Sequence, residues 1–276
     1  MLDVVREAGR LADHFGSVLV PTMGALHEGH FALIRRAAEL RRPVMVSIFV
    51  NPTQFGPGED FERYPRKLEE DLASAEAAGA TVAFTPDVAM MYPPGEEIPV
   101  PPLPAVATKP GLEDRWRPGH LEGVAQVVAR LFDLTRPSAA VFGEKDYQQL
   151  LLVKHMVAGE SARWPRLEII GHPTVREEDG IALSSRNAYL TLEQRPRAKG
   201  LHRALQSAAS AQQPATAERL MMETLAAHDL EAQYAVVRDA ETLMTAGSFE
   251  RPTRGLIAAK LGDVRLIDNL PLPVWR

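Results

Sequence analysis

Residues 21–30, Pro21-Thr22-Met23-Gly24-Ala25-Leu26-His27-Glu28-Gly29-His30, constrain the fold more than any other stretch. An apolar run at 17–20 leads into them and an amphipathic pattern at 31–40 leads out. Strand, glycine-bearing turn and helix in that order form the first βα step of an α/β sheet. At such a step, backbone N–H groups and the positive helix end converge on an anion. Gly24 and Gly29 permit a tight turn or a close backbone approach. His27 and His30 lie three apart, so in a helix they share one face of its first turn. Two imidazoles, small residues and a helix N-terminus suit a polyphosphate. Ordinary solvated histidines in a tight turn are the plain alternative.

The next elements extend that start. Residues 3–14 read as a short helix, and 44–50 as a nearly all-apolar strand of the kind covered on both faces in a parallel sheet. A loop at 51–56 sits at the ligand-binding edge of such a sheet. Pro65 suits the first turn of a helix closed by Ala78-Gly79, and 81–84 is a third strand. Residues 93–118 carry prolines at 93, 94, 99, 101, 102, 104, 110 and 118, which excludes regular helix and suggests a lid or wall. A helix at 122–135, a strand at 139–142, a helix at 147–157 and a strand at 167–171 come next.

After Pro173 the rhythm changes. A loop at 176–186 precedes Thr191-Leu192-Glu193-Gln194, with capping-box spacing ahead of a helix that contains Pro196. A helix at 216–228, a strand at 233–237 and a hairpin of 256–261 and 264–267 about Gly262-Asp263 complete the chain. Parallel units first and antiparallel strands later imply an α/β fold with a smaller C-terminal α+β domain. The expected units are residues 1–174 and 175–276.

Composition narrows the partners. A net charge of −5 over 276 residues argues against nucleic acid, which needs a basic face. With no cysteine, disulfides, thiolate metal sites and cysteine nucleophiles are out. The first residues lack a basic-then-apolar leader and no run is long enough to span a bilayer, so the expectation is a cytoplasmic protein without membrane attachment. Walker-A, G-x-G-x-x-G and G-x-S-x-G patterns are missing, which weakens P-loop, typical dinucleotide and α/β-hydrolase readings.

Further candidates repeat the opening theme. Gly143-Glu144-Lys145-Asp146 is a second strand–turn–helix junction, where a lysine reaches phosphate as a point charge. Asp146 could accept ribose hydroxyls, or simply cap its helix. Gln149 lies one turn further on. Leu183-Ser184-Ser185-Arg186-Asn187 gathers two hydroxyls and a guanidinium beyond the domain join, as a clamp on a movable domain requires. Gln54 offers an amide to a hydroxy acid. A metal between His27 and His30 is a minority reading.

Six stretches, in this order, resemble the pantoate–β-alanine ligase family, within the H-x-G-H nucleotidylyl-transferase superfamily: residues 21–30, Phe49-Val50-Asn51-Pro52-Thr53-Gln54-Phe55, Arg117-Pro118-Gly119-His120, Phe142-Gly143-Glu144-Lys145-Asp146-Tyr147-Gln148-Gln149-Leu150, Leu183-Ser184-Ser185-Arg186-Asn187 and Leu266-Ile267-Asp268-Asn269. Leu121 and Trp116 depart from the usual family residues beside the third stretch. The resemblance implies a Rossmann-like sheet and two half-reactions. Pantoate and ATP give a pantoyl adenylate and pyrophosphate; β-alanine then gives pantothenate and AMP.

By the same resemblance His27, His30, Lys145, Ser184, Ser185 and Arg186 serve the phosphates, with His30 the acid candidate. Met23, Gly143, Asp146 and the Val175 backbone meet adenosine. The ATP site as a whole takes in Gly24, Ala25, Leu26, Glu28, Gly29, Glu144 and Leu183. Gln54 and Gln149 serve pantoate, and Arg117 faces the substrate or pyrophosphate side. Mg²⁺ accompanies ATP, with Glu70 and Asp71 the carboxylates considered for it, and a homodimer is implied. An adenylyltransferase acting on a phosphorylated acceptor would share H-x-G-H without needing the two glutamines. A nucleotide sensor would share the fold without turnover.

Overall fold

The structure is a computed structural model that describes residues 1–275. The chain runs β1 (Asp3–Val5), β2 (Val18–Thr22), α1 (Glu28–Ala38), β3 (Val44–Ile48), α2 (Leu68–Ala78), β4 (Val82–Phe84) and α3 (Val88–Met91). It continues with α4 (Glu113–Trp116), α5 (His120–Thr135), β5 (Ala139–Gly143), α6 (Tyr147–Gly159) and β6 (Glu168–His172). Last come α7 (Gln194–Ala198), α8 (Gly200–Ala208), α9 (Pro214–Ala227), β7 (Glu231–Asp239), β8 (Thr253–Leu261) and β9 (Val264–Leu272).

Six strands form a parallel sheet in the order β1-β4-β3-β2-β5-β6. Successive strand residues face opposite sides, and both sides are covered. Val18, Val20, Val44, Val46, Ala139 and Val141 pack with Leu33, Ile34 and Ala37 of α1. Leu19, Met45, Ala140 and Phe142 pack with Val124, Val128 and Phe132 of α5 and Leu152 of α6. The all-apolar strands therefore result from double-sided burial. Another core, with Leu201, Leu205, Met221, Val237 and Ile257, lies between α8, α9 and the antiparallel sheet β7-β8-β9. The fold class expected from the sequence is the one observed.

The order reverses between β2 and β5, where chain progression changes direction across the sheet. Their pairing covers only Val18↔Ala139 and Leu19↔Ala140, whereas β2 pairs β3 through Thr22↔Ile48. The crevice beyond the carboxyl ends of these two strands is the usual ligand position in such sheets.

Some elements differ from expectation. Residues 3–14 contain the edge strand β1 followed by a 3₁₀ turn, Ala8–His14, rather than one helix. Three strand residues are too few to show a period. Pro65 lies upstream of α2, because Lys67 is still non-helical (φ −130°). The capping box at Thr191 and Gln194 forms with reciprocal bonds of 3.0 and 3.2 Å. Pro196 falls in the first turn of α7, where its missing N–H costs no helix bond, and the helical stretch divides into α7 and α8 at Lys199. The proline-rich 93–118 segment is a packed wall: Val106, Ala107 and Leu112 are buried, and Gln148 of α6 bonds to Val106 O (2.8 Å) and Glu113 N (2.9 Å).

Candidate active site

The opening turn is held from behind. Gly24 takes φ +83° and Ala25 φ +50°. The N–H groups of Ala25 and Leu26 donate to the two carboxylate oxygens of Asp71, at 2.9 and 2.7 Å. These donors are thus spent on α2 and do not face the cavity. Gly24, Ala25, Leu26, Glu28 and Glu144 lie outside the cavity wall: Leu26 packs on the core, Glu28 pairs with Arg35 at the surface, and Glu144 bonds to Arg254 at 2.8 Å. Asp71 and Glu70 line neither cavity: both Asp71 oxygens hold the turn, and Glu70 pairs with the exposed Lys67. Among the described residues no three His, Cys, Asp or Glu side chains converge as a metal site.

The two histidines cap their own helix. His27 Nδ1 accepts from Gly29 N at 3.1 Å, and His27 N donates to His30 Nδ1 at 3.3 Å. A ring nitrogen that accepts carries no proton, so both rings keep theirs on Nε2. Their centroids are 4.1 Å apart. Burial, then the Lys145 charge, lowers the His27 pKa to about 4. Burial, then His27, lowers that of His30 to about 3. At neutral pH both are neutral donors. A Cβ on Gly29 would lie 2.9 Å from the His27 ring, so this glycine makes room for the cap rather than for a ligand.

A cavity of about 230 Å³ opens at the crevice between β2 and β5. Its wall includes Met23, His27, Gly29, His30, Gln54 and Arg117 from one side of the sequence, and Gly143, Lys145, Asp146 and Gln149 from the second βα junction. Val175, Leu183, Ser184, Ser185 and Arg186 close it from the segment after β6. Lys145 Nζ lies 3.6 Å from Asp146. Burial raises the Asp146 pKa, but Lys145 and then Arg186 outweigh it and hold the carboxyl below its usual value. Ser185 Oγ reaches Ala25 O at 3.4 Å, so the Ser-Ser-Arg strap rests on the opening turn. A neighbouring space of about 350 Å³ shares Arg117, Lys145, Asp146, Ser184 and Arg186 and extends toward β9.

Gln54 is oriented by residues to which the sequence pattern assigned no role. Asn51 Nδ2 donates to Gln54 Oε1 (3.2 Å) and to Gly123 O (3.2 Å), while Tyr92 Oη donates to Asn51 Oδ1 (2.8 Å). Gln54 Nε2 remains beside Met23 Sδ at 3.0 Å, facing the cavity. Gly123 of α5 lets the 53–54 backbone press onto the helix; a Cβ there would sit 2.3 Å from Thr53 O. His120 ties the same segment: Arg117 donates to Nε2 (2.8 Å), so Nδ1 bears the proton and donates to Gln54 O (2.9 Å). Burial, then Arg117, lowers the His120 pKa to about 4.

Both arginines of the set are already paired. Arg117 makes a bidentate contact with Glu59 (2.7 and 2.6 Å), and Arg186 one with Asp60 (2.9 and 2.7 Å). Burial raises both carboxyl pKa values, but the arginines outweigh it and the net direction is down. Glu59, Asp60 and Tyr64 all reach the cleft from the loop before α2. An acidic pair just after Gly56-Pro57-Gly58 was the sequence signal available for them.

Fold and cleft together define a nucleotide-binding α/β protein whose H-x-G-H turn, lysine turn and Ser-Ser-Arg strap surround one site. The pantoate-beta-alanine ligase family model matches residues 2–271, and the chain belongs to that family. Pantothenate synthetase of Rubrobacter xylanophilus is 48% identical over 282 residues, covering 98% of this chain and 96% of that protein. A crystal structure of pantothenate synthetase from Thermus thermophilus superposes with a TM-score of 0.92 at 44% identity, covering 97% and 98% of the two chains. That of the Francisella tularensis ligase, complexed with beta-gamma ATP and beta-alanine, gives 0.80 at 31% identity, covering 98% and 97%.

Proposed function

We propose that the chain condenses pantoate with β-alanine at the expense of ATP, through a pantoyl adenylate. The observation that carries this reading is the meeting of two βα turns and a Ser-Ser-Arg strap around one cavity with two glutamine amides in its wall. Gln54 and Gln149 offer amides to the hydroxyls and carboxylate of pantoate, and Val124, Val127, Val128 and Leu131 of α5 give its methyl groups an apolar wall. A pantoate carboxylate oxygen bonds to the α-phosphorus while the α–β P–O bond breaks and pyrophosphate leaves. The β-alanine nitrogen then bonds to the acyl carbon, loses its proton, and AMP leaves. ATP activates the acid, so no protein nucleophile is required; the protein aligns the reactants and stabilises developing charge.

In this reading Lys145 and the Nε2–H groups of His27 and His30 donate to phosphate oxygens. His30 acts as a neutral hydrogen-bond donor, since burial keeps a second proton off its ring. Asp146, Met23 and the Val175 backbone take adenosine, and Ser184, Ser185 and Arg186 grip the phosphates from the strap. Residues 1–174 form the ATP- and pantoate-binding unit, and 175–276 the unit that covers it. Mg²⁺ enters with ATP, held by phosphate oxygens and water. The partners are small molecules, and the working form is a cytoplasmic homodimer, as the family resemblance implies. Among the described residues no helix is long and apolar enough to cross a membrane.

The test is release of pyrophosphate and AMP from ATP with pantoate, with and without β-alanine. Pyrophosphate on pantoate addition, and AMP with pantothenate once β-alanine is present, is the expected result. No AMP under any of these conditions would end the ligase reading. Within it, Gln54→Ala should raise the KM for pantoate about tenfold or more while leaving that for ATP near the parent value. Equal weakening of both substrates would contradict the assignment of Gln54 to pantoate.

A further inference from the structure

β9 carries two adjacent polar residues, Asp268 and Asn269, each only 3% exposed. Neighbouring strand residues point to opposite sides, and these two reach different parts of the cleft. Asn269 Nδ2 donates to Glu144 O at 3.0 Å and to Lys145 O at 2.8 Å. Its Oδ1 accepts from Arg254 Nε at 2.5 Å. Arg254 also donates to the Glu144 carboxylate at 2.8 Å and lies 3.8 Å from the Tyr147 ring centroid. The short turn that presents Lys145 is therefore gripped at two successive carbonyls by the C-terminal sheet.

Asp268 works on the strap. It accepts twice from Arg176, at 2.7 and 2.9 Å, and Arg176 also donates to Gly180 O at 3.1 Å. Arg176 pairs in a short bridge with Ala182, two residues before Ser184. Asp and Asn have nearly the same shape and opposite hydrogen-bonding capacity. The acceptor-only side chain meets a guanidinium, and the side chain with two donors meets two carbonyls. Exchanging their identities would leave donors facing donors and acceptors facing acceptors.

We propose that Asn269 is a positioning residue for Lys145, and that with Asp268 it joins the lysine turn and the Ser-Ser-Arg strap into one rigid unit. The inference rests on the ligase reading above, because it assigns Lys145 to the adenylation step. A side chain that sets a catalytic group acts through distance: a displacement of about 1 Å costs about a hundredfold in rate. Asn269 touches no substrate in this scheme, so its effect passes through the turn it holds, chiefly through Lys145.

The full-length Asn269→Asp variant tests this, since it keeps the size and removes both donors. Two half-reactions are read separately. Adenylation is followed by pantoate-dependent exchange of labelled pyrophosphate into ATP; aminolysis is followed by β-alanine attack on preformed pantoyl adenylate. Adenylation is expected to fall about a hundredfold while aminolysis changes far less. In a Lys145→Ala background the same substitution should add little, because residues acting as a unit are not additive. Equal losses in both half-reactions, parental adenylation, or a full Asn269→Asp effect on top of Lys145→Ala would each overturn the proposal. Should Asn269→Asp not fold by circular dichroism, Asn269→Ser, which keeps a single donor, carries the same readouts. A parent protein that makes no adenylate would refute the ligase reading instead, so the two failures are distinct.

Discussion

Replacing Lys145 with alanine should slow pantoyl-adenylate formation by about a thousandfold, the loss typical of a removed charge-stabilising donor in a preorganised site. The side chain is mostly buried in the cleft wall, and its ammonium lies 3.6 Å from Asp146. Alanine removes no core packing, so the circular dichroism spectrum and thermal midpoint should match those of the parent. Lys145→Arg should recover only part of the rate, because a planar fork does not replace a compact point charge at the same distance. The measurement is pyrophosphate release with ATP and pantoate in rapid quench. A parental rate for Lys145→Ala would remove the residue from the phosphate site.

The second large effect concerns acid stability. Three rings, the half-buried His27 and His30 of the cavity wall and the buried His120, have pKa values lowered mainly by desolvation from 6.5 to about 4, 3 and 4. A lowered folded-state value means that the unfolded chain binds more protons between that value and about 6.5. The stability these rings confer is thus complete above about pH 6.5 and is lost as the pH falls toward about 4. At pH 5 unfolding should take up about three protons from these rings. Each shift corresponds to on the order of 3 kcal/mol across that window, but those of His27 and His30 do not simply add, because part of the His30 shift is the His27 charge. The thermal midpoint should therefore drop steeply between pH 6.5 and 4, before most carboxylates titrate. His120→Asn should reduce the proton uptake at pH 5 by about one. A midpoint that stays level from pH 7 to 4.5 would contradict the burial argument.

Periodicity and turn chemistry made part of this architecture legible in the sequence. The strands β2, β3 and β5 stood out because burial on both faces makes them continuously apolar. His27, His30 and Lys145 stood out because each comes after such a strand at a glycine-bearing turn. Asp71 could not be read in this way. It lies beside Glu70 in the first turn of α2, and nothing local shows which of the two reaches back 46 residues to hold the Ala25 and Leu26 amides. Nothing in the local pattern marks Gly123, yet it admits the backbone that carries Gln54. Glu59 and Asp60 drew no reading from the sequence, since only the fold sets Arg117 and Arg186 opposite them. These residues act through contacts between distant segments, and a pattern along the chain has no term for them. The short edge strand β1 was missed for a related reason, since its identity comes from pairing with β4.

The pairing of Glu59 with Arg117, Asp60 with Arg186 and Asp146 with Lys145 also bears on how an anion meets this protein from solution. Three cations with three carboxylates beside them form dipoles, and a dipole's field fades with distance faster than that of a free charge. On a chain of net charge −5, such a cleft has little reach beyond the first layers of water. These three pairs therefore add little long-range steering, and at them nucleotide capture rests on contact, through the fixed direction of Nε2–H and amide donors. Encounter rates with ATP should accordingly resemble those of an uncharged patch, with selectivity arising only once the phosphates are inside.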